Sequence, residues 1–299
     1  MQVLHQRCCG LDVHKKTIVA CLLITAPDGT VEKHRRSFST MTGGLLTLVD
    51  WLDAWQISHV AMESTGVYWR AAFNLLEEDH TVILVNAQHM KAVPGHKTDV
   101  KDAGWLADLL RHGLLNPSFI PPKPIRELRE LTRYRKSLVY QRTQEINHLH
   151  KVLETANIKL ASVASNVLGK SGRDMVEALI RGTTDVEVLA DLARGSLRKK
   201  IPQLQAALEG RLQPHHRLLL GQMLAHIDFL EASLDQVQRA IQEYLRPYEE
   251  ALDLVQSIPG IQATSAATIL AEIGTDMLGS RECPPSTNGV IRERVQRVA

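Results

Sequence analysis

The sequence predicts an α/β domain at the N-terminus, followed by a long helical region and a shorter helical segment near the end. Three observations carry this. Strand-like apolar runs alternate with helical periodicities over the first third of the chain, the proline-rich stretch Asn116–Pro124 closes that third, and leucine and isoleucine then recur at helical spacing.

The elements follow in order. "RCCGLDV" and "TIVACLLIT" (Arg7–Val13 and Thr17–Thr25) predict two strands rich in Val, Ile, Leu and Cys. "PDG" (Pro27–Gly29) is a turn, and "TVEKHRRSFS" alternates like a third strand. "TGGLLTLVDWLDAWQ" is helical, "SHVAMES" is a short buried strand ending at Glu63, "VYWRAAFNLLEEDH" is helical, and "TVILVN" is a further buried strand. "KTDVKDAGWLADLL" (97–110) then opens another helix, with Leu106, Leu109 and Leu110 at helical spacing. Three leading strands followed by helix–strand–helix–strand–helix is the order of an RNase H-like α/β fold. An ordinary doubly wound fold would alternate from the start.

Beyond the proline break, Ile125 to about Ile158 forms a long amphipathic, coiled-coil-like segment. Shorter helices are expected next, broken at "GKSGRD" and "RGTTD", and a second long helix runs from about Pro214 to Leu245. The two long helices predict a hairpin. In "VQSIPGIQATSAATILAEIG" (Val255–Gly274), the Pro259-Gly260 turn between apolar helices resembles a helix-hairpin-helix, which offers backbone N–H groups to phosphates. The expected domains are 1–118, 119–250 and 251–299, the last a partial C-terminal domain.

A chain of 299 residues can bury a sizeable core, and its composition is that of an ordinary globular protein. No apolar run reaches the ~18 residues of a membrane span, and the start lacks a signal-peptide layout. Cys8, Cys9, Cys21 and Cys283 have no metal or disulfide spacing, so a reduced, cytoplasmic protein is expected. The net charge is only +2, yet Lys123, Arg126, Arg129, Arg133, Arg135, Lys136 and Arg142 crowd the start of the helical region. Such a segment either binds a polyanion or forms a solvated helix face. Arg129, Arg133, Arg135, Lys136 and the turn at Gly260 are the candidate nucleic-acid contacts.

Four carboxylates carry the chemistry. Asp99 and Asp102 lie three apart at the front of a helix, where acids commonly do no more than cap N–H groups and complement the dipole. Asp12, however, lies in the first strand and Glu63 ends the fourth. In an RNase H-like sheet those strands are neighbours, and the helix after the last strand brings its first turn over the same end. Clustered carboxylates repel, and divalent cations relieve this. Hard oxygen ligands suit Mg²⁺ or Mn²⁺, and two such ions ~4 Å apart support in-line phosphoryl transfer.

"GLDVHKK", "AMESTGVYW", "KTDVKDAGWLADLL" and "IPGIQATSAATILAEIG" together resemble the DEDD-type insertion-sequence transposases, the one-ten family with its eleven-eleven subgroup, over about residues 8 to 277. The resemblance implies that Asp12, Glu63, Asp99 and Asp102 form the metal-binding tetrad of a RuvC-like domain. It further implies a recombinase that moves a DNA element and is directed by a structured guide RNA. The long helices would support a homo-oligomer, and the helix-hairpin-helix-like segment would open the C-terminal transposase domain.

Family members continue into a segment whose serine forms a covalent link to DNA. Here the chain runs "MLGSRECPPSTNGVIRERVQRVA", and neither Ser280 nor Ser286 sits in that motif. Codons for Ile291–Val298 can be chosen that, shifted by one nucleotide, encode Ser-Gly-Asn-Glu-Ser-Ser-Gly, so a frame-shifted ending lacking the nucleophile is expected. Two other functions are compatible with the residues. One is a metal-dependent nuclease of the junction-resolving type, with water as nucleophile. The other is a non-catalytic nucleic-acid-binding remnant.

Overall fold

The computed structural model of the chain describes residues 2–64, 66–86 and 102–275. They fall into two compact units, one drawn from the residues up to Ile120 and one spanning Pro121–Thr275.

The first unit is built on a five-stranded mixed sheet. Its strands are β1 (Arg7–Val13), β2 (Thr17–Thr25), β3 (Val31–Ser39), β4 (His59–Glu63) and β5 (Thr81–Val85). Their order is β3-β2-β1-β4-β5, with β2 antiparallel to both β1 and β3, and with β1, β4 and β5 mutually parallel. This is the arrangement the element order predicts. β1 and β2 are apolar runs because helices cover both faces of the sheet there. Apart from exposed Val31 and buried Phe38, β3 is polar, as suits an edge strand, where charges discourage pairing with another sheet.

Residues of alternate parity along the strands feed two separate cores. Cys9, Leu11, Val13, Ile18, Leu22, Val60 and Met62 face α1 (Thr42–Ala54) and α2 (Trp69–Leu76), meeting Leu45, Leu48, Leu52, Phe73 and Leu76. Cys8, Cys21, Leu23 and Ala61 face the opposite way, toward Ala103, Ala107 and Leu110 of α3 (Asp102–Arg111). Residues 97–101, where the sequence places the front of that helix, lie outside the described residues.

The second unit is helical. The long helices α4 (Lys123–Thr155) and, further on, α8 (Pro214–Leu245) form a hairpin. They run antiparallel: Leu128 clusters with Ile241 and Leu245, Arg142 pairs with Glu231, and Leu149 and Leu153 cluster with Leu220 and Leu224. Between them in sequence come α5 (Lys170–Arg181), α6 (Val186–Asp191) and α7 (Ile201–Leu208), whose Met175, Val176, Leu179, Leu189 and Leu204 complete the larger core. Arg173 ties α5 to α8 through two bonds to Asp228, at 2.6 and 2.7 Å. At the other end of the hairpin, α9 (Glu249–Gln256) and α10 (Ala263–Ile273) pack against Leu128, Ile241 and Leu245.

The break expected at "GKSGRD" is present, since residues 164–169 are non-helical and Gly169 is the N-cap of α5, which begins at Lys170 and runs through Gly172. Gly172 is buried, and a β carbon on it would stand 2.3 Å from the Val167 carbonyl oxygen. The glycine serves close packing rather than chain reversal. "RGTTD" is a break: Gly182 adopts the left-handed conformation (φ 102°), and Asp185 caps α6 by accepting from the N–H groups of Glu187 and Val188.

Candidate active site

β1 and β4 run parallel in the register Leu11↔Met62. The next position on each strand is Asp12 on β1 and Glu63 on β4, so the two carboxylates emerge side by side on strands about 4.8 Å apart. Alternation turns both residues toward the face that α3 covers, since Gly10, Cys8 and Ala61 share their parity. Both are partly buried.

α3 rests directly on this face. A β carbon on Gly10 would come within 2.1 Å of the Ala103 carbonyl oxygen and 2.5 Å of the Ala107 nitrogen. The Cys8 thiol, two residues back, donates to the Ala107 carbonyl at 3.4 Å. Burial pushes that thiol up to about 12, so it is held as a neutral donor. Gly10 therefore fixes where the helix crosses β1. Asp12 lies one pleat further along the strand, and Asp102 is the residue just before Ala103. Backbone packing thus brings the first turn of α3 to the same sheet end as Asp12 and Glu63. Asp99 lies outside the described residues.

His14 follows on the same side of the chain, and its Nε2 lies 3.0 Å from Asp12 Oδ2. This partner has no advance signal in the sequence beyond its place two residues after an active-site candidate. Among the described residues there is no group of three or more His, Cys, Asp or Glu side chains that could hold a metal ion. Two hard-oxygen carboxylates at one sheet end are ligands of the type that Mg²⁺ or Mn²⁺ takes.

The basic segment expected to meet nucleic acid is largely engaged within its own unit. Arg129 donates from Nε to the Ala271 carbonyl at 2.9 Å and from Nη2 to the Glu272 carbonyl at 2.7 Å. It thereby caps the C-terminal end of α10, where the dipole favours a cation. Arg133 grips the Glu272 carboxylate through two bonds of 2.8 Å. Those hydrogen bonds, ahead of the attraction of Arg133, Arg129 and Lys136, hold the Glu272 carboxyl below the usual carboxylate range. Arg135 and Lys136 line a cleft of about 440 Å³ with Arg133, Thr264, Thr268 and Glu272. Gly260 sits in the turn between α9 and α10 at φ 88°, with open space where a side chain would be. Ser280 and Ser286 lie outside the described residues.

No helix among the described residues is long and apolar enough to cross a membrane. A search of curated proteins returns no match. Among solved structures the chain is similar to the fowlpox virus Holliday junction resolvase, at 12% identity and a TM-score of 0.24, covering 35% of this chain and 72% of that one. It is similar also to the fowlpox virus resolvase in complex with its substrate Holliday junction DNA, at 11% identity and a TM-score of 0.24, with 35% and 72% covered. Residues 9–158, just over half of the chain, match the family model of DEDD transposases of the IS110 type, described as transposase. The chain belongs to this family of DEDD-type transposases.

Proposed function

We propose that the chain is a transposase whose N-terminal domain, residues 1–118, cuts DNA with the help of divalent metal held by Asp12, Glu63, Asp99 and Asp102. The observation that carries this is the emergence of Asp12 and Glu63 side by side on the face crossed by the first turn of α3. Bound Mg²⁺ or Mn²⁺ supplies Lewis-acid activation of a phosphodiester. The chain's own residues do the rest. The carboxylates offer anionic oxygens, His14 orients Asp12, and Gly10 lets α3 approach closely enough to bring Asp102 to the same end of the sheet.

On this reading residues 119–250 form a coiled-coil region that supports a homo-oligomer. Residues 251–299 open the C-terminal transposase domain with a helix-hairpin-helix-like turn at Gly260. Arg135 and Lys136 meet nucleic acid, with Arg129 and Arg133 holding α10 beside them. A structured guide RNA is the second partner.

Product analysis tests the proposal. The full chain is incubated with supercoiled plasmid and Mg²⁺, beside Asp12→Asn. Nicking by the wild type and none by the variant is expected. Equal nicking by both sinks the assignment.

A further inference from the structure

A second charged site lies beside the carboxylates on the same face of the sheet. On β3, Lys33 and Arg35 are two apart and exposed, and alternation turns both toward α3. Their tips reach the helix at one place: a β carbon on Gly104 would stand 2.9 Å from Arg35 Nη2 and 2.9 Å from Lys33 Nζ. Glycine at this helical position leaves the two cations room against the helix backbone. Together with Trp105, Asp108 and Arg111 they line a cleft of about 510 Å³.

The charges in this cleft do not cancel. Among the described residues Asp108 is the sole acid lining it, and Arg111 Nη2 already pairs with that acid at 3.0 Å. The Arg111 side chain is mostly buried, and its Nε has no hydrogen-bond partner among the described residues. Neither Lys33 nor Arg35 forms an ion pair among the described residues. Lysines on an edge strand can serve only to discourage sheet pairing. That role needs charges on the strand, and not two tips converging on a helix glycine beside a buried arginine.

Register fixes the distance to the carboxylates. Arg35 pairs with Cys21, which pairs with Gly10, whereas Asp12 lies in the row of Val19 and Ser37. Arg35 is therefore two strands across from Asp12 and two residues along, roughly 12 Å away by strand spacing and rise. A phosphodiester chain lying over the carboxylates can reach both places at once.

We propose that Lys33, Arg35 and Arg111 form a subsite for the backbone phosphates of DNA flanking the scissile position. The site would take phosphate by charge and would not distinguish base sequence. It rests on the DNA-cleaving reading above and adds where the uncut part of the strand is held.

The test is binding of a fluorescein-labelled 30-base-pair duplex of arbitrary sequence to the full chain, by anisotropy across a NaCl series. Removing one phosphate-binding cation flattens the slope of log affinity against log salt by about 0.9, so Lys33→Ala with Arg35→Ala should flatten it by about 1.8. Arg36→Ala is the control. Arg36 lies on the other face of β3, over the Phe38 ring at 5.0 Å, and its removal should leave the slope unchanged. Lys33→Gln with Arg35→Gln replaces the alanine pair if circular dichroism shows the latter unfolded. A duplex slope equal to wild type in the folded double variant overturns the subsite while leaving the cleavage reading in place. A change seen only with single-stranded RNA of the same length overturns the assignment to DNA. Wild-type protein that binds no duplex at any salt overturns both.

Discussion

Gly10 of β1 lies directly beneath Ala103 of α3: a β carbon at position 10 would meet the Ala103 carbonyl oxygen at 2.1 Å. No side chain can yield there, because both obstructing atoms belong to the helix backbone. Gly10→Ala should therefore lift or shift α3 and destabilise the protein by about 1–3 kcal/mol, the usual cost of overpacking. Urea denaturation measures the destabilisation, and a wild-type midpoint would show that the helix does not rest on β1. The same variant should weaken Mn²⁺ binding, since Asp102 at the start of α3 moves with the helix.

What is legible in the sequence follows from how local each signal is. β1 and β2 match the predicted Arg7–Val13 and Thr17–Thr25 because their apolar runs end at polar residues and turns. Asp12 and Glu63 are identifiable because they occupy strand positions near a predicted sheet end. The two glycines of "GKSGRD" look alike in the sequence, but Gly169 is the N-cap of α5 whereas Gly172 lets that helix pack against Val167. The partners of Arg129 and Arg133 are not legible at all. Their acceptors lie 139 to 143 residues away, so the local charge density cannot reveal them. Lys33 and Arg35 have a signal in their two-residue spacing, but it means nothing until α3 is placed against them.

Glu272 gives a pH prediction. Its carboxyl lies below the ordinary value of 4.5, chiefly through the hydrogen bonds from Arg133. A depressed carboxyl stabilises the fold above its unfolded value, and that contribution disappears as pH falls through the folded one. The pair is partly exposed, so its worth is at most about 1 kcal/mol. Glu272→Gln should be less stable than wild type at pH 7, and the gap should close as pH drops below 4.5. Thermal melts at pH 7 and in steps below pH 5 check this, and a constant gap would contradict it.

His14 should matter for the site and not for the fold. It contacts Asp12 at 3.0 Å, and its side chain is 61% exposed. Partners that orient a metal-binding carboxylate are typically worth 10–100-fold in metal affinity, and an exposed one belongs at the low end. His14→Ala should lower Mn²⁺ affinity by about tenfold with an unchanged melting temperature. Equal affinity would mean that Asp12 is oriented by the strand alone.

The central claim is that carboxylates from separate elements hold divalent metal at one end of the sheet. Calorimetric titration of Mn²⁺ into the full chain tests it most directly, comparing wild type with Asp12→Ala plus Glu63→Ala at a pH where both proteins are folded. The remaining acids, Asp99 and Asp102, cannot fill a coordination shell of six oxygens by themselves. Saturable binding by the wild type and no measurable heat from the double variant are expected. Equal binding by the two proteins would contradict the claim.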